Sequence, residues 1–132
     1  VGISEHVESF RYGGSFLVPE SAYLRHIRGA QSVGRADGQF ITTKAHMDRM
    51  LAETRGDPQA IGQRLGTDWS TPLYRVDVHN PLLHNARLPS GFEAGANPSK
   101  FRWGGYTTGG MPEVVTDPIP QGGFSVGRLG GR

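Results

Sequence analysis

Glycine and proline divide this chain. Eleven of its 20 glycines fall in residues 86–132, together with Pro89, Pro98, Pro112, Pro118 and Pro120 of its 9 prolines. A helix interior tolerates neither residue well, since glycine costs about 1 kcal/mol relative to alanine and proline about 3. Long helices are therefore excluded from the last third of the chain. Its hydrophobic pattern must be read as short strands between turns, at 101–103, 113–116 and 124–126. No internal repeat accompanies the glycines, and their spacing is too irregular for a collagen or β-helix pattern.

The first half reads differently. Met47, Met50 and Leu51 recur at i, i+3 and i+4, with Gly56 as a stop. Asp57 and Pro58 then supply a cap and a first-turn residue for a helix with Ile61 and Leu65 on its apolar side and Gly66 at its end. Pro19 suits the first position of an earlier helix, with Tyr23, Leu24 and Ile27 as its apolar face and Gly29 as its C-cap. The spacing predicts helices over 19–28, 45–55 and 58–65. Residues 15–18 and 39–43 read as short strands, and 74–78 alternates most cleanly. Residues 1–14 show no period and end in Gly13-Gly14, so they are expected to be a lead-in or the end of a linker, with a single domain over 15–132. The element order predicts an α+β fold, with helices of the first half packed on a mainly antiparallel sheet formed largely by the second half. A doubly wound fold is excluded because no helices separate the late strands.

Composition removes several function classes. A length of 132 residues fits one domain. There is no 18-residue apolar run for a membrane helix, and the N-terminus lacks the basic-then-apolar layout of a signal peptide. Cysteine is absent, which excludes disulfides, thiolate metal sites and cysteine nucleophiles. The net charge of +2 is spread over both halves, so no basic tail or stripe argues for nucleic-acid binding, even with a pI near 9.3. Only Lys44 and Lys100 are lysines; the other basic residues are arginines, whose planar forks suit phosphates and carboxylates, although a GC-rich genome gives the same bias.

The five histidines, His6, His26, His46, His79 and His84, show neither HExxH nor His-x-His spacing. His26 and His46 fall in predicted helices and read as surface residues, whereas His79 and His84 flank a turn at a strand end, where acid–base groups often sit. None of the glycine pairs at 104–105, 109–110 and 122–123 opens a helix, so a phosphate-binding P-loop is excluded. The run from Gly104 to Glu113 instead reads either as a hairpin with turn glycines or as a substrate loop presenting Thr107, Thr108 and Glu113. Glu113 opens an otherwise apolar strand, so partial desolvation should raise its pKa into a range useful for proton transfer.

The order Arg28 or Arg35, then Phe40-Ile41-Thr42-Thr43, then Glu113 resembles that of ADP-ribosyltransferases and NAD glycohydrolases. There an arginine, a Ser/Thr-ending strand and a glutamate serve an oxocarbenium-like ribose. A second resemblance covers most of residues 12–126. The segments Tyr12-Gly13-Gly14-Ser15-Phe16, Gly34 through Thr43, Arg87 through Asn97 (RLPSGFEAGAN) and Gly104 through Glu113 look like the C-terminal toxin domains of CdiA-type contact-dependent growth inhibition proteins and related bacterial polymorphic toxins.

That resemblance implies an antibacterial domain carried by a larger secreted or cell-surface protein and acting in the target-cell cytoplasm. Its implied partner is a cognate immunity protein, and the domain is otherwise expected to be a monomer without membrane contact. The activity it implies first is a ribonuclease acting on tRNA-type RNA; the alternatives are NAD consumption and a non-enzymatic binding module. RNA supplies its own 2′-hydroxyl nucleophile, so neither a cofactor nor a metal is expected. The candidate catalytic residues are Arg35, Arg87, Thr107, Glu113 and His84. The candidate substrate-binding residues are Asp37, Thr42, Thr43, Glu93, Asn97 and Thr108. A purely structural role for Arg87, anchoring its loop to Glu93, is equally compatible with the sequence.

Overall fold

The computed structural model describes residues 3–65, 72–93, 96, 104–107 and 109–129. In chain order it contains α1 (Ile3–Glu8), β1 (Gly14–Pro19), α2 (Glu20–Ala22) running into a π-helical turn (Tyr23–Ile27), β2 (Ser32–Val33), β3 (Gln39–Thr43), α3 (Lys44–Thr54) and α4 (Pro58–Leu65). These are followed by β4 (Leu73–Val78), a 3-10 turn (Pro81–His84), β5 (Val114–Thr116), β6 (Ile119–Pro120) and β7 (Phe124–Arg128). The expected strand at 101–103 and the helix stop at Gly66 lie outside the described residues.

The fold is α+β. Five strands form one sheet in the order β5-β3-β1-β4-β7, with every neighbouring pair antiparallel. β2 and β6 form a separate antiparallel pair. The second half supplies β4, β5 and β7, while the centre, β1, and its neighbour β3 come from the first half. The outer edge of β5 is closed by a bridge to Arg87, with N–H···O distances of 3.0 and 2.8 Å in the two directions.

Strand alternation sends side chains to two separate cores. On the first face, Phe16, Ile41, Val76, Val78 and Val114 pack with Phe10, Ile27, Val33 and Ile119. On the second, Leu17 and Leu73 meet Met47 and Met50 of α3, Ile61 of α4 and Met111. Arg75 ties α3 to that face, with its guanidinium 2.6 Å from Asp48 of the helix and 2.8 Å from Asp77 two residues along β4. The helix ends follow the expected chemistry. Thr43 caps α3 by accepting the His46 N–H at 3.1 Å, and Asp57 accepts the Ala60 N–H at 3.1 Å before α4. The expected helix over 19–28 is partly different: Pro19 ends β1, and after α2 the chain widens so that the Arg28 N–H reaches the Tyr23 carbonyl at 2.9 Å. Tyr23 stacks flat on Tyr74 of β4 at 3.9 Å. Among the described residues no helix is long and apolar enough to cross a membrane.

The expectation that residues 1–14 form a lead-in needs correction. Residues 3–8 are helical, and Phe10 is fully buried in the first-face core. Six residues are too few for sequence periodicity to register, and the burial comes from tertiary packing. Truncating a buried phenylalanine to alanine costs about 3–5 kcal/mol. Phe10→Ala is expected to lower the unfolding free energy by that amount in urea titrations. A loss below 1 kcal/mol would return this segment to the status of a lead-in.

Candidate functional site

The site grows from the pairing of three strands. Ser15 of β1 faces Thr42 of β3, and β3 pairs with β5 so that Ile41 meets Val114 and Phe40 meets Val115. Glu113 directly precedes β5, and continuing that register by one step would set it opposite Thr42. Ser15, Thr42 and Glu113 therefore form a polar row across the second face, continued by Asp77 on β4 and Ser125 on β7. All three are buried, Glu113 being 8% exposed. The Ser15 and Thr42 hydroxyls find no hydrogen-bond partner among the described residues. A buried polar group left so costs about 1–3 kcal/mol.

Glu113 is backed by a second carboxylate. Glu93 lies against Gly38, where a Cβ would come 3.0 Å from the Glu93 Cγ and 3.2 Å from the Val115 side chain, which shares its face with Glu113. Partial burial pushes Glu93 up. Hydrogen bonds outweigh that effect and hold it below the usual carboxylate value, among them the Ser90 amide at 2.9 Å, the Ser90 hydroxyl at 2.9 Å and the Gly91 amide at 2.9 Å. Glu113 goes the other way. Burial first, and the charge of Glu93 second, push it up to about 7. No lysine or arginine among the described residues pairs with it. Two neighbouring acids are thus split into one firmly ionised and one that holds its proton to neutrality, a usual mark of acid–base sites.

The other expected residues scatter around this row. Thr43 adjoins it but serves as the α3 cap, its Oγ1 also 2.6 Å from Nδ1 of His46. Arg35 is exposed in the turn that leads into β3, and its carbonyl accepts the Gly38 N–H at 3.2 Å. Arg28 is exposed at the end of the π-helical turn, which packs through Ile27 on the first face. Arg87 is tied down by Asp117 at 3.0 Å, by the Asn85 carbonyl at 2.9 Å and by the Asp37 carbonyl at 3.4 Å. Its anchor is therefore Asp117 rather than Glu93, and the exposed Asp37 contributes its backbone.

Two further candidates, Thr107 and His84, lie off the row. Thr107 is buried, and its hydroxyl donates to the Arg64 carbonyl and accepts the Met111 N–H at 3.1 Å, so it pins the glycine loop to α4. His84 does not reach the row. Its 3-10 turn packs on the first face, where Pro81 fills the space beside Gly14 and Ile41, and its ring lies against Gly123. Short-range sequence gives no sign of which side of a sheet a turn will close over. Asn97 and Thr108 lie outside the described residues.

The sequence also missed a neighbouring feature. A cleft of about 540 Å³ opens at the strand ends between α1 and α3, lined by His6, Tyr12, Lys44, His46, Asp48 and Tyr106 among others. Pro112 and Thr43, the chain neighbours of Glu113 and Thr42, complete its wall. Partial burial, followed by the Arg49 charge, holds His46 below the ordinary histidine value. Nothing in the sequence linked His6 to His46, because the helix bearing His6 was not visible. Among the described residues no group of three or more His, Cys, Asp or Glu side chains is placed to hold a metal ion. No family model, curated protein or solved structure matches the chain.

Glu113 makes stability depend on pH. In the fold its carboxyl keeps its proton to about pH 7, whereas unfolded it loses it near 4.5. Between those values the unfolded state binds fewer protons, so this group lowers stability as pH rises, by about 3 kcal/mol in all. Glu113→Gln is expected to remove that part of the slope and to be more stable than the wild type at pH 8. Parallel urea titrations of both proteins at pH 5 and pH 8 check this, and the same pH response in both would contradict it.

Proposed function

We propose that this chain consumes NAD, as a glycohydrolase or ADP-ribosyltransferase, and that it is the toxin domain of a CdiA-type or related polymorphic toxin. The observation that carries the activity is the paired-carboxylate site: Glu93 and Glu113 on one face, Thr42 in register beside Glu113, and no described cation paired with Glu113. Such a site repels anions and favours a transition state in which positive charge develops. Cleavage of the nicotinamide–ribose bond does this. Nicotinamide leaves as a neutral molecule with the bonding electron pair, and the positive charge passes to the C1′–O4′ unit of the ribose. The ionised Glu113 carboxylate stabilises that charge until water or an acceptor nucleophile adds to C1′ and gives up a proton. The pyridinium charge of bound NAD favours the ionised form of Glu113, so a pKa near neutrality in the free protein is no obstacle. The Thr-bearing strand that the NAD-enzyme resemblance calls for is the one paired with the strand that Glu113 opens.

The ribonuclease reading, which the toxin resemblance puts first, rests on a different observation: two histidines, a lysine and Tyr106 line one cleft. There His6 and His46 are the acid–base candidates and Lys44 the cation for phosphorane charge, although Lys44 already lies 3.5 Å from Asp48. In either reading the domain is delivered by a larger secreted or surface protein to the target-cell cytoplasm, and the producing cell carries an immunity protein.

Purified protein incubated in parallel with NAD and with total RNA separates the two. NAD is expected to disappear while RNA stays intact, and Glu113→Gln is expected to slow NAD loss by about 100-fold or more, the scale of removing a main electrostatic stabiliser. RNA cleavage that survives Glu113→Gln but is lost in His46→Ala, with NAD untouched, would replace this reading with the ribonuclease one.

A further inference from the structure

The segment least visible in the sequence ends against the backbone of Glu113. His6 of α1 is buried, and its Nε2 lies 3.0 Å from the Glu113 carbonyl oxygen. A carbonyl only accepts, so Nε2 carries the hydrogen in this contact. On the other side of the same residue, the Glu113 N–H donates to the Gly105 carbonyl at 2.7 Å. Both backbone polar groups of Glu113 are therefore held, one by α1 and one by the glycine loop. The imidazole is itself fixed, with ring centroids 5.7 Å from Phe10 in an edge contact and 5.0 Å from Tyr106. It also sits directly against the loop. A Cβ on Gly105 would come within 2.6 Å of Nε2, and Gly105 has φ +85°, so glycine is required there on both counts.

We propose that His6 is a positioning residue for Glu113: through the Glu113 carbonyl it fixes the start of β5 and holds the carboxyl on the Thr42 face. Without this bond the Glu113 carbonyl loses its partner at the point where β5 begins, leaving the amide bond to Gly105 and the pairing of Val114 with Ile41 as the remaining restraints. The carboxyl is then free to turn away from Thr42 and Glu93 toward water. A shift of about 1 Å in a reacting group costs up to about 100-fold in rate, which gives the hydrogen bond leverage on turnover without any contact with substrate. The effect on turnover rests on the NAD reading; the effect on the carboxyl does not.

The test uses His6→Leu, which removes the donor, and His6→Gln, whose side-chain amide restores one. Two quantities are read in each: kcat and KM for NAD, and the Glu113 carboxyl titration followed by 13C NMR, with Glu93 as the neighbouring charge that must be tracked alongside. His6→Leu is expected to lower kcat by about 10- to 100-fold with KM nearly unchanged, and to move the Glu113 titration back toward the ordinary glutamate range. His6→Gln is expected to recover most of both. If His6→Leu does not fold, His6→Met, which fills a similar volume and carries no donor, takes its place and should produce the same two changes. A folded His6→Leu or His6→Met protein with wild-type kcat and an unmoved Glu113 titration overturns the proposal, as does His6→Gln behaving no better than His6→Leu. If the wild type consumes no NAD but the titration moves in His6→Leu, the positioning role stands and the NAD reading falls.

Discussion

β1 is hydrogen-bonded on both edges and packed on both faces, and the placement of every candidate group depends on it. Its pairing with β3 and β4 fixes which residues share a face, and Phe16 and Leu17 send the chain's two cores to opposite sides. A one-residue slip in register would exchange the two faces entirely. Ser15 is the exception in this strand: a buried polar residue lying in the same row as Thr42 and Glu113. A strand locked on four sides has little freedom to absorb such a residue by local adjustment. The hydroxyls of Ser15 and Thr42, unpartnered among the described residues, are therefore a standing cost of this arrangement, of the kind that proteins tend to carry at functional sites.

Electrostatics then decides what the row suits. Glu93 is kept ionised by the amides and hydroxyl of its own tight turn, and Glu113 beside it is denied both water and a cation among the described residues. This is the reverse of what a phosphate-transfer centre needs, because a phosphorane gathers negative charge. The cations that the sequence offered for that purpose are occupied or distant. Arg87 is held by Asp117 and backbone carbonyls, and Arg35 points into solvent from its turn. The histidine-lined cleft at the strand ends suits the opposite chemistry better.

The legible parts of the fold were those written in local periodicity. α3 and α4 fall within a residue or so of their expected spans, and the strands at 39–43 and 74–78 are nearly as read, because caps, glycine stops and two-residue alternation act over a few residues. The burial of Glu113 was legible for the same reason: a charged residue opening a valine pair is a local signal of desolvation. Pairing is not local. That Thr42 stands beside Glu113 depends on strands more than 70 positions apart, and Glu93 joins them through a loop whose closure only the fold specifies. α1 escaped notice because it is too short for a period, and with it went His6. The partner of the Thr107 hydroxyl was not legible, because a threonine on a glycine loop looks the same in sequence whether its hydroxyl faces a substrate or the end of α4.

We propose that two carboxylates select for a cation at the Thr42 face. It is tested most directly by comparing the affinity of the wild-type protein for a carbocyclic, uncleavable NAD analogue with its affinity for the reduced form, whose nicotinamide ring carries no charge. The cationic form is expected to bind more tightly by about tenfold or more, equivalent to about 1.4 kcal/mol. Equal affinities, or tighter binding of the uncharged form, would contradict it.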